Sequence, residues 1–326
     1  MSGVDSAIAA YLLKQQYEVV AFMKNYVSDS GNCTTYSDAE EAIKVSKFLI
    51  EIISFDLQKE YNEKIIEYIY NGYQQITPNP DVLCNSLIKF DVFLEKALAL
   101  FDYIATGHYA RIEQTKNKYK LLRIDYNKDQ SYFLAGLNQY QLSKSLFPIG
   151  YSKPEIRALA KKIGLPNAAR KDSQLCFIGN IPIKDFLLKK LPKKEGDIIN
   201  TEGKIVGKHE AYFFTIGQRQ LKLPFKAYVI KTDVKNNIVV VGGKEDKALF
   251  SKTISTTRRR IRTPEKLPMK VIAKIRYRQV PQEATLKTSK DDIIVSFKEK
   301  QRAIAPGQTI VAYKGDECIG SGVITG

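Results

Sequence analysis

One property of this sequence narrows its fold more than any other: the spacing of its apolar residues changes part-way along the chain. In the front half, helix-spaced segments alternate with short apolar runs. Residues 7–16 predict a helix capped by Asp5 or Ser6, and Glu18–Phe22 predicts a short buried strand. Residues 38–49, 59–71, 85–101 and 154–163 predict further helices, and Tyr103–Thr106 a strand that runs into Gly107 and His108. Strands alternating with helices imply an α/β domain whose parallel sheet is crossed over by helices. After about residue 180 the helical period fades. Short β-type runs follow at 227–231, 238–242, 270–278, 292–297 and 309–313, separated by turn residues, which predicts a β-rich region ending in a small barrel. The expected boundaries fall near residues 181 and 253.

The charge divides in the same direction. The chain has 326 residues, with 51 Lys and Arg against 35 Asp and Glu, a net charge of +16. Residues 1–110 hold 8 basic and 15 acidic side chains, a net −7, whereas residues 111–326 hold 43 and 20, a net +23. A basic back half suits a polyanion, either nucleic acid or a membrane surface, although a solvated Lys-rich surface gives the same arithmetic. No apolar run approaches the roughly 18 residues of a membrane-spanning helix. No basic start precedes an apolar stretch at Met1, so no signal peptide is expected.

The four cysteines, Cys33, Cys84, Cys176 and Cys318, show no C-x-x-C spacing, and His108 and His209 are the two histidines. That pattern argues against a zinc site and against a disulfide framework, and for a reducing, cytoplasmic compartment. Cys84 closes the stretch Thr77-Pro-Asn-Pro-Asp-Val-Leu-Cys84, whose prolines hold the backbone extended ahead of a helix. A helix N-terminus there would favour a thiolate, while a buried core cysteine in a proline-rich turn is the plainer alternative. Cys176 follows the cations Arg170 and Lys171. Two such thiols could relay sulfur by thiol–disulfide exchange. Ser2-Gly-Val-Asp-Ser6 leads into the first helix, where unpaired N–H groups offer a phosphate site or simply an ordinary helix start. Lys128-Asp-Gln130 and Arg276-Tyr-Arg-Gln279 mix cations, amides and aromatics, as RNA contacts do and as ordinary surfaces also can.

Together these segments resemble the tRNA-specific 2-thiouridylases, ATP-dependent enzymes that thiolate the wobble uridine of certain tRNAs. The likeness runs in order through Ser2–Ser6, Phe22–Asn25, Thr77–Asn85, Ala105–Tyr109, Lys128–Leu134, Lys171–Gly179, Thr215–Arg219, Ile275–Gln279 and Pro306–Gln308. The resemblance implies a PP-loop (adenine nucleotide α-hydrolase-like) catalytic domain over 1–180, a small central domain over 181–252 and a C-terminal β-barrel over 253–326. It implies that Ser2, Gly3, Val4, Asp5 and Ser6 form the pyrophosphate loop, and that Met23 and Gly107 line the adenosine pocket. Asn79, Pro80 and Asp81 would meet the target base, with Asp81 joining Cys84, the nucleophile, and Cys176, the persulfide carrier, in the catalytic set. His108, Lys128, Asp129, Gln130, Arg276, Tyr277 and Gln308 would touch tRNA. ATP, Mg²⁺, tRNA and a persulfide sulfur-donor protein are the implied cofactors and partners of a monomer, with a transient disulfide joining the two cysteines.

The sequence also departs from the family's usual pattern. Its phosphate loop is one glycine shorter than Ser-Gly-Gly-Val-Asp-Ser, and the strand expected before that loop is missing. The stretch from Ser173 to Cys176 is one residue shorter, and a Gly-Leu-Gly after Arg219 is absent. Two other readings therefore stand beside an active thiolase: a remnant that binds tRNA without catalysis, and a different PP-loop ATP-pyrophosphatase.

Overall fold

The opening helix starts earlier than its apolar spacing predicts. In the computed structural model, which describes residues 3–25, 35–116, 118–124, 128–150, 153–170, 182–219, 221–257, 266–289 and 292–325, this helix spans Val4–Leu13. Gly3, not Asp5 or Ser6, is its N-cap, with extended backbone (φ −86°, ψ 150°). Ala7 N–H already donates to Gly3 O at 3.2 Å, so Val4, Asp5 and Ser6 lie inside the first turn. The chain divides into two compact units: residues 1–65, 81–181 and 316–319, and residues 66–80, 182–315 and 320–326.

In the first unit, β1 (Ala21–Asn25) pairs in parallel with β2 (Ile52–Asp56), and the helix Thr35–Leu49 lies between them in sequence. β1 begins three residues later than the predicted strand. β3 (Ile104–Ala105) pairs in parallel with β6 (Ser145–Leu146). These pairings bear out the α/β expectation, because parallel neighbours need crossover connections. β4 (Arg111–Gln114) and β5 (Tyr119–Leu122) form an antiparallel hairpin that the sequence reading missed. Val4, Ala7 and Ile8 share one core with Val45, Tyr109 and Ile156, so the opening helix is anchored by buried apolar contacts. The helix expected from residue 85 is already helical at Pro80–Cys84. Proline suits a first helical turn, where its missing N–H costs no bond. The backbone then widens to a π-helical stretch, Asn85–Val92, with Phe90 off helical angles (φ −109°, ψ 17°), before Phe93–Leu98.

The second unit is mainly β. β7 (Gly196–Asn200), β8 (Ile205–His209), β9 (Tyr228–Asp233) and β10 (Ile238–Gly242) form a sheet in the order β8-β7-β10-β9. Ile198, Val229, Val239 and Val241 pack beneath it with Phe214. The next strands are β11 (Phe250–Thr257), β12 (Met269–Lys274) and β13 (Gln282–Ser289). They are followed by β14 (Asp292–Arg302), β15 (Thr309–Lys314) and β16 (Glu317–Val323). They lie in the order β11-β14-β13-β12-β15-β16. A bridge between Thr256 and Ile324, with Thr325 N–H donating to Ser255 O at 3.0 Å, joins the first strand of that order to the end of the last. This closure makes the barrel that the β-type runs predicted and removes exposed sheet edges. The run expected over 270–278 ends as a strand at Lys274, because Arg276 to Gln279 turns with Gln279 N–H on Arg276 O (3.2 Å). Among the described residues no helix is long and apolar enough to cross a membrane.

Candidate active site

The first turn of the Val4–Leu13 helix meets the loop after β3 at very short range. A Cβ placed on Gly107 would lie 2.5 Å from Asp5 C, 2.6 Å from Ser6 N and 2.7 Å from Asp5 O. Glycine is required here by space, since its neighbours are backbone atoms and not flexible side-chain ends. Gly3 itself offers no side-chain cap, and the N–H groups of the first turn lie at the positive end of the helix dipole. Ser6 Oγ donates to Gly3 O at 2.9 Å and tightens the turn. This cradle, at the C-terminal end of a parallel strand, suits an anionic phosphate. Ser2 lies outside the described residues. So does the side chain of Met23, whose backbone pairs with Ser54 in β1.

Tyr109, absent from the sequence-predicted set, completes this cradle. It is buried at 1% exposure, and its hydroxyl donates to Asp5 Oδ1 at 2.8 Å. Gln130 brackets Tyr109: its backbone N–H donates to Tyr109 O at 2.8 Å, and its side-chain Oε1 accepts from Tyr109 N–H at 3.0 Å. Asp129 is also turned inward, accepting from Ser131 N–H (3.1 Å) and Ser131 Oγ (2.9 Å). Within Lys128-Asp-Gln130, then, Lys128 alone is exposed, while its two neighbours organise the loop. Thr106 Oγ1 and His108 Nδ1 share a hydrogen bond of 2.7 Å, and the imidazole packs against Phe90 and Phe147 with ring centroids 6.0 Å away in both cases.

Cys84 is buried at 2% exposure and is the fifth residue of its helix. The helix-dipole argument for a thiolate therefore does not carry over, because that influence fades beyond the first turn. Next to it Asn85, 4% exposed, donates through Nδ2 to Asp81 O at 3.0 Å, while its Oδ1 is buried without a hydrogen-bond partner. The sequence signal for Asn85 was its place at the end of the proline-rich motif. Cys176, with the whole segment 171–181, lies outside the described residues, so the proposed cysteine pair is not seen together.

In the second unit, Arg276 is committed to backbone: Nη2 donates to Ala303 O at 2.6 Å and to Ile216 O at 3.2 Å. Tyr277 is half-buried in the same turn. Gln308 Nε2 donates to Thr77 O at 3.0 Å and to Pro78 O at 3.3 Å, directly before Asn79 and Pro80.

Comparison with known proteins gives this geometry its context. Residues 1–180 match a family model described as a tRNA methyl transferase HUP domain. Residues 184–243 match its PRC-barrel domain, and residues 251–324 an aminomethyltransferase beta-barrel domain. The tRNA-specific 2-thiouridylase MnmA of Bacillus licheniformis is 44% identical, covering 99% of this chain and 92% of its own. The protein of the same name from Flavobacterium johnsoniae is 42% identical over 99% and 98% of the two chains. That from Pseudomonas aeruginosa is 42% identical over 99% and 92%.

The chain belongs to the tRNA-specific 2-thiouridylase family.

Within a 2-thiouridylase, the half-buried Asp81 has a testable electrostatic signature. Burial holds its carboxyl above the ordinary aspartate value of 3.8, with Lys89 opposing the rise. A raised carboxyl keeps its proton in the folded state after the unfolded state has lost it. The folded state thus binds more protons over a window that opens at pH 3.8 and extends upward, and stability falls as pH rises through it. Asp81→Asn cannot ionise and escapes that loss. Urea unfolding from pH 3.5 to 7 should show the variant gaining stability relative to the wild type as pH rises, and a difference independent of pH would contradict this.

Proposed function

We propose that this protein is an ATP-dependent tRNA uridine 2-sulfurtransferase acting on the wobble uridine. Family membership over essentially the whole chain supports the reaction class. The observation in the structure that best supports it is the Gly107–Asp5–Ser6 phosphate cradle in the same compact unit as the buried Cys84. We read the chain as three domains, 1–180, 181–252 and 253–326, working in the cytoplasm as a monomer on tRNA.

The chemistry follows from a poor leaving group. The uracil C2 oxygen does not depart unaided, so it must first attack the α-phosphate of ATP and release pyrophosphate. In this reading the Gly3–Ser6 turn holds the phosphates, and the family resemblance assigns Ser2 to the same loop and Gly107 and Met23 to the adenosine pocket. Mg²⁺ would neutralise the phosphates when bound. Among the described residues no cluster of three or more His, Cys, Asp or Glu side chains is placed to hold a metal. Asn79, Pro80 and Asp81 take the target base once it leaves its stack.

Sulfur transfer is assigned to the cysteines. The terminal sulfur of a Cys176 persulfide attacks C2, the C2–O bond breaks and AMP leaves. Cys84 thiolate then attacks the Cys176 sulfur. The sulfur–sulfur bond breaks, its electron pair passes to the sulfur on C2, and a Cys84–Cys176 disulfide remains, to be reduced by an external thiol. Lys128, Arg276 and Tyr277 supply tRNA contacts in this reading, and the family resemblance assigns His108, Asp129, Gln130 and Gln308 to tRNA as well.

The test is mass spectrometry of tRNA incubated with the protein, ATP and a persulfide donor. The expected result is a single uridine carrying sulfur in place of oxygen. Tight tRNA binding without any thiolated product would instead support the non-catalytic remnant.

A further inference from the structure

Two motifs that resemble the family, Thr215–Arg219 and Pro306–Gln308, have been given no catalytic task beyond a tRNA contact for Gln308. Both converge on one short segment. Thr77 N–H donates to Pro306 O at 3.1 Å, and Gln308 Nε2 donates back to Thr77 O (3.0 Å) and Pro78 O (3.3 Å). Both polar groups of the Thr77 peptide are thus satisfied by the barrel turn. Thr77 Oγ1 lies 3.4 Å from Thr215 Oγ1, and Thr215 N–H donates to Gln218 Oε1 at 3.2 Å. Gly307, at φ +89°, is pressed so closely onto this segment that a Cβ would lie 2.6 Å from Thr77 O and 2.9 Å from Ile76 Cβ. On the other side, a Cβ on Gly72 would meet Pro78 Cβ at 2.9 Å. Pro78 cannot donate a hydrogen bond and restricts Thr77, so this segment has few conformations once these groups engage it.

We infer that the Pro306–Gln308 turn, with Thr215, is a clamp that positions the Thr77–Pro78 segment and thereby fixes the entry of the target-base residues Asn79 and Pro80. Gln308 is on this account a positioning residue. Its amide is committed to two carbonyls of the loop, so its loss acts on how the base is presented more than on how tightly tRNA is held. Arg276, anchored on Ile216 O and Ala303 O in the same unit, ties a basic tRNA-facing turn to the Thr215 side of the clamp.

The inference rests on the thiolase reading, and two readouts keep the two apart. In single-turnover thiolation with saturating tRNA, Gln308→Leu should slow the rate about tenfold or more while the tRNA Kd changes less than about threefold. Thr215→Val should do the same to a smaller degree, and Thr215→Ser should restore the wild-type rate. Weaker tRNA binding at an unchanged rate, equal losses in both, or no change in either would overturn the clamp. Hydrogen exchange of the Thr77 amide reads the clamp independently of turnover. Exchange should accelerate at least about tenfold in Gln308→Leu, with the barrel amides unaltered. Unchanged exchange at Thr77 overturns the clamp. If Gln308→Leu fails to fold, exchange at Thr77 in Thr215→Val decides in the same way. A wild-type chain that never thiolates tRNA rejects the thiolase reading and leaves the exchange test standing.

Discussion

Cys84→Ser should reduce tRNA thiolation at least about a thousandfold while leaving activation of the uridine intact. The substitution exchanges one atom at a site that is 2% exposed, so the helix and its π-helical continuation should keep their packing. A serine hydroxyl cannot accept sulfur or form a disulfide. On the proposed sequence of bonds, the reaction then halts after AMP has left, with tRNA joined to Cys176 through a sulfur–sulfur bond. Denaturing gels should show that adduct and lose it on addition of a reductant. Cys176→Ser should halt earlier and yield no adduct. Full activity in Cys84→Ser would remove the thiol from the mechanism and favour another type of PP-loop pyrophosphatase.

Gly107→Ala carries the second large effect, and it lies on ATP. The added methyl would meet the backbone of Asp5 and Ser6 at 2.5–2.7 Å, where no side chain can swing aside. Either the loop after β3 or the first turn of the opening helix must move. Tyr109, two residues along, ties that loop to Asp5, so the displacement acts on the phosphate cradle itself. A shift of about 1 Å in a positioning element costs on the order of a hundredfold in rate. The expected result is a fall of about that size in kcat/KM for ATP, with tRNA affinity unchanged within about twofold. Nucleotide titration and filter binding of tRNA check the two halves. A wild-type ATP dependence in Gly107→Ala would show that the cradle does not hold the nucleotide.

The parallel sheet and the barrel were legible because buried strands and amphipathic helices leave apolar periods in the sequence. Strands such as β11 and β13 were not, since their residues, Phe250–Thr257 and Gln282–Ser289, are mostly Ser, Thr, Lys and Gln, with few apolar positions to reveal the alternation. The start of the opening helix was misplaced because Gly3 caps through backbone geometry and leaves no side-chain signature. Within the site, the proline-rich motif pointed to Cys84, and the family resemblance pointed to Gly107 and Asp81. They could not show that Asp129 and Gln130 face inward, because an exposed contact and an internal hydrogen bond use the same side chains. Tyr109 escaped for a related reason: its partner Asp5 is 104 residues away, and only the fold brings them together.

On the proposed mechanism, one chain couples ATP cleavage to sulfur insertion in tRNA. This coupling is tested most directly by counting AMP and 2-thiouridine in the same reaction, with purified protein, unmodified tRNA, ATP and a persulfide donor. One AMP should form for each thiolated uridine, with pyrophosphate released and neither product accumulating without tRNA. ADP and inorganic phosphate as the nucleotide products, or AMP formed with no sulfur entering the tRNA of the wild-type protein, would contradict it.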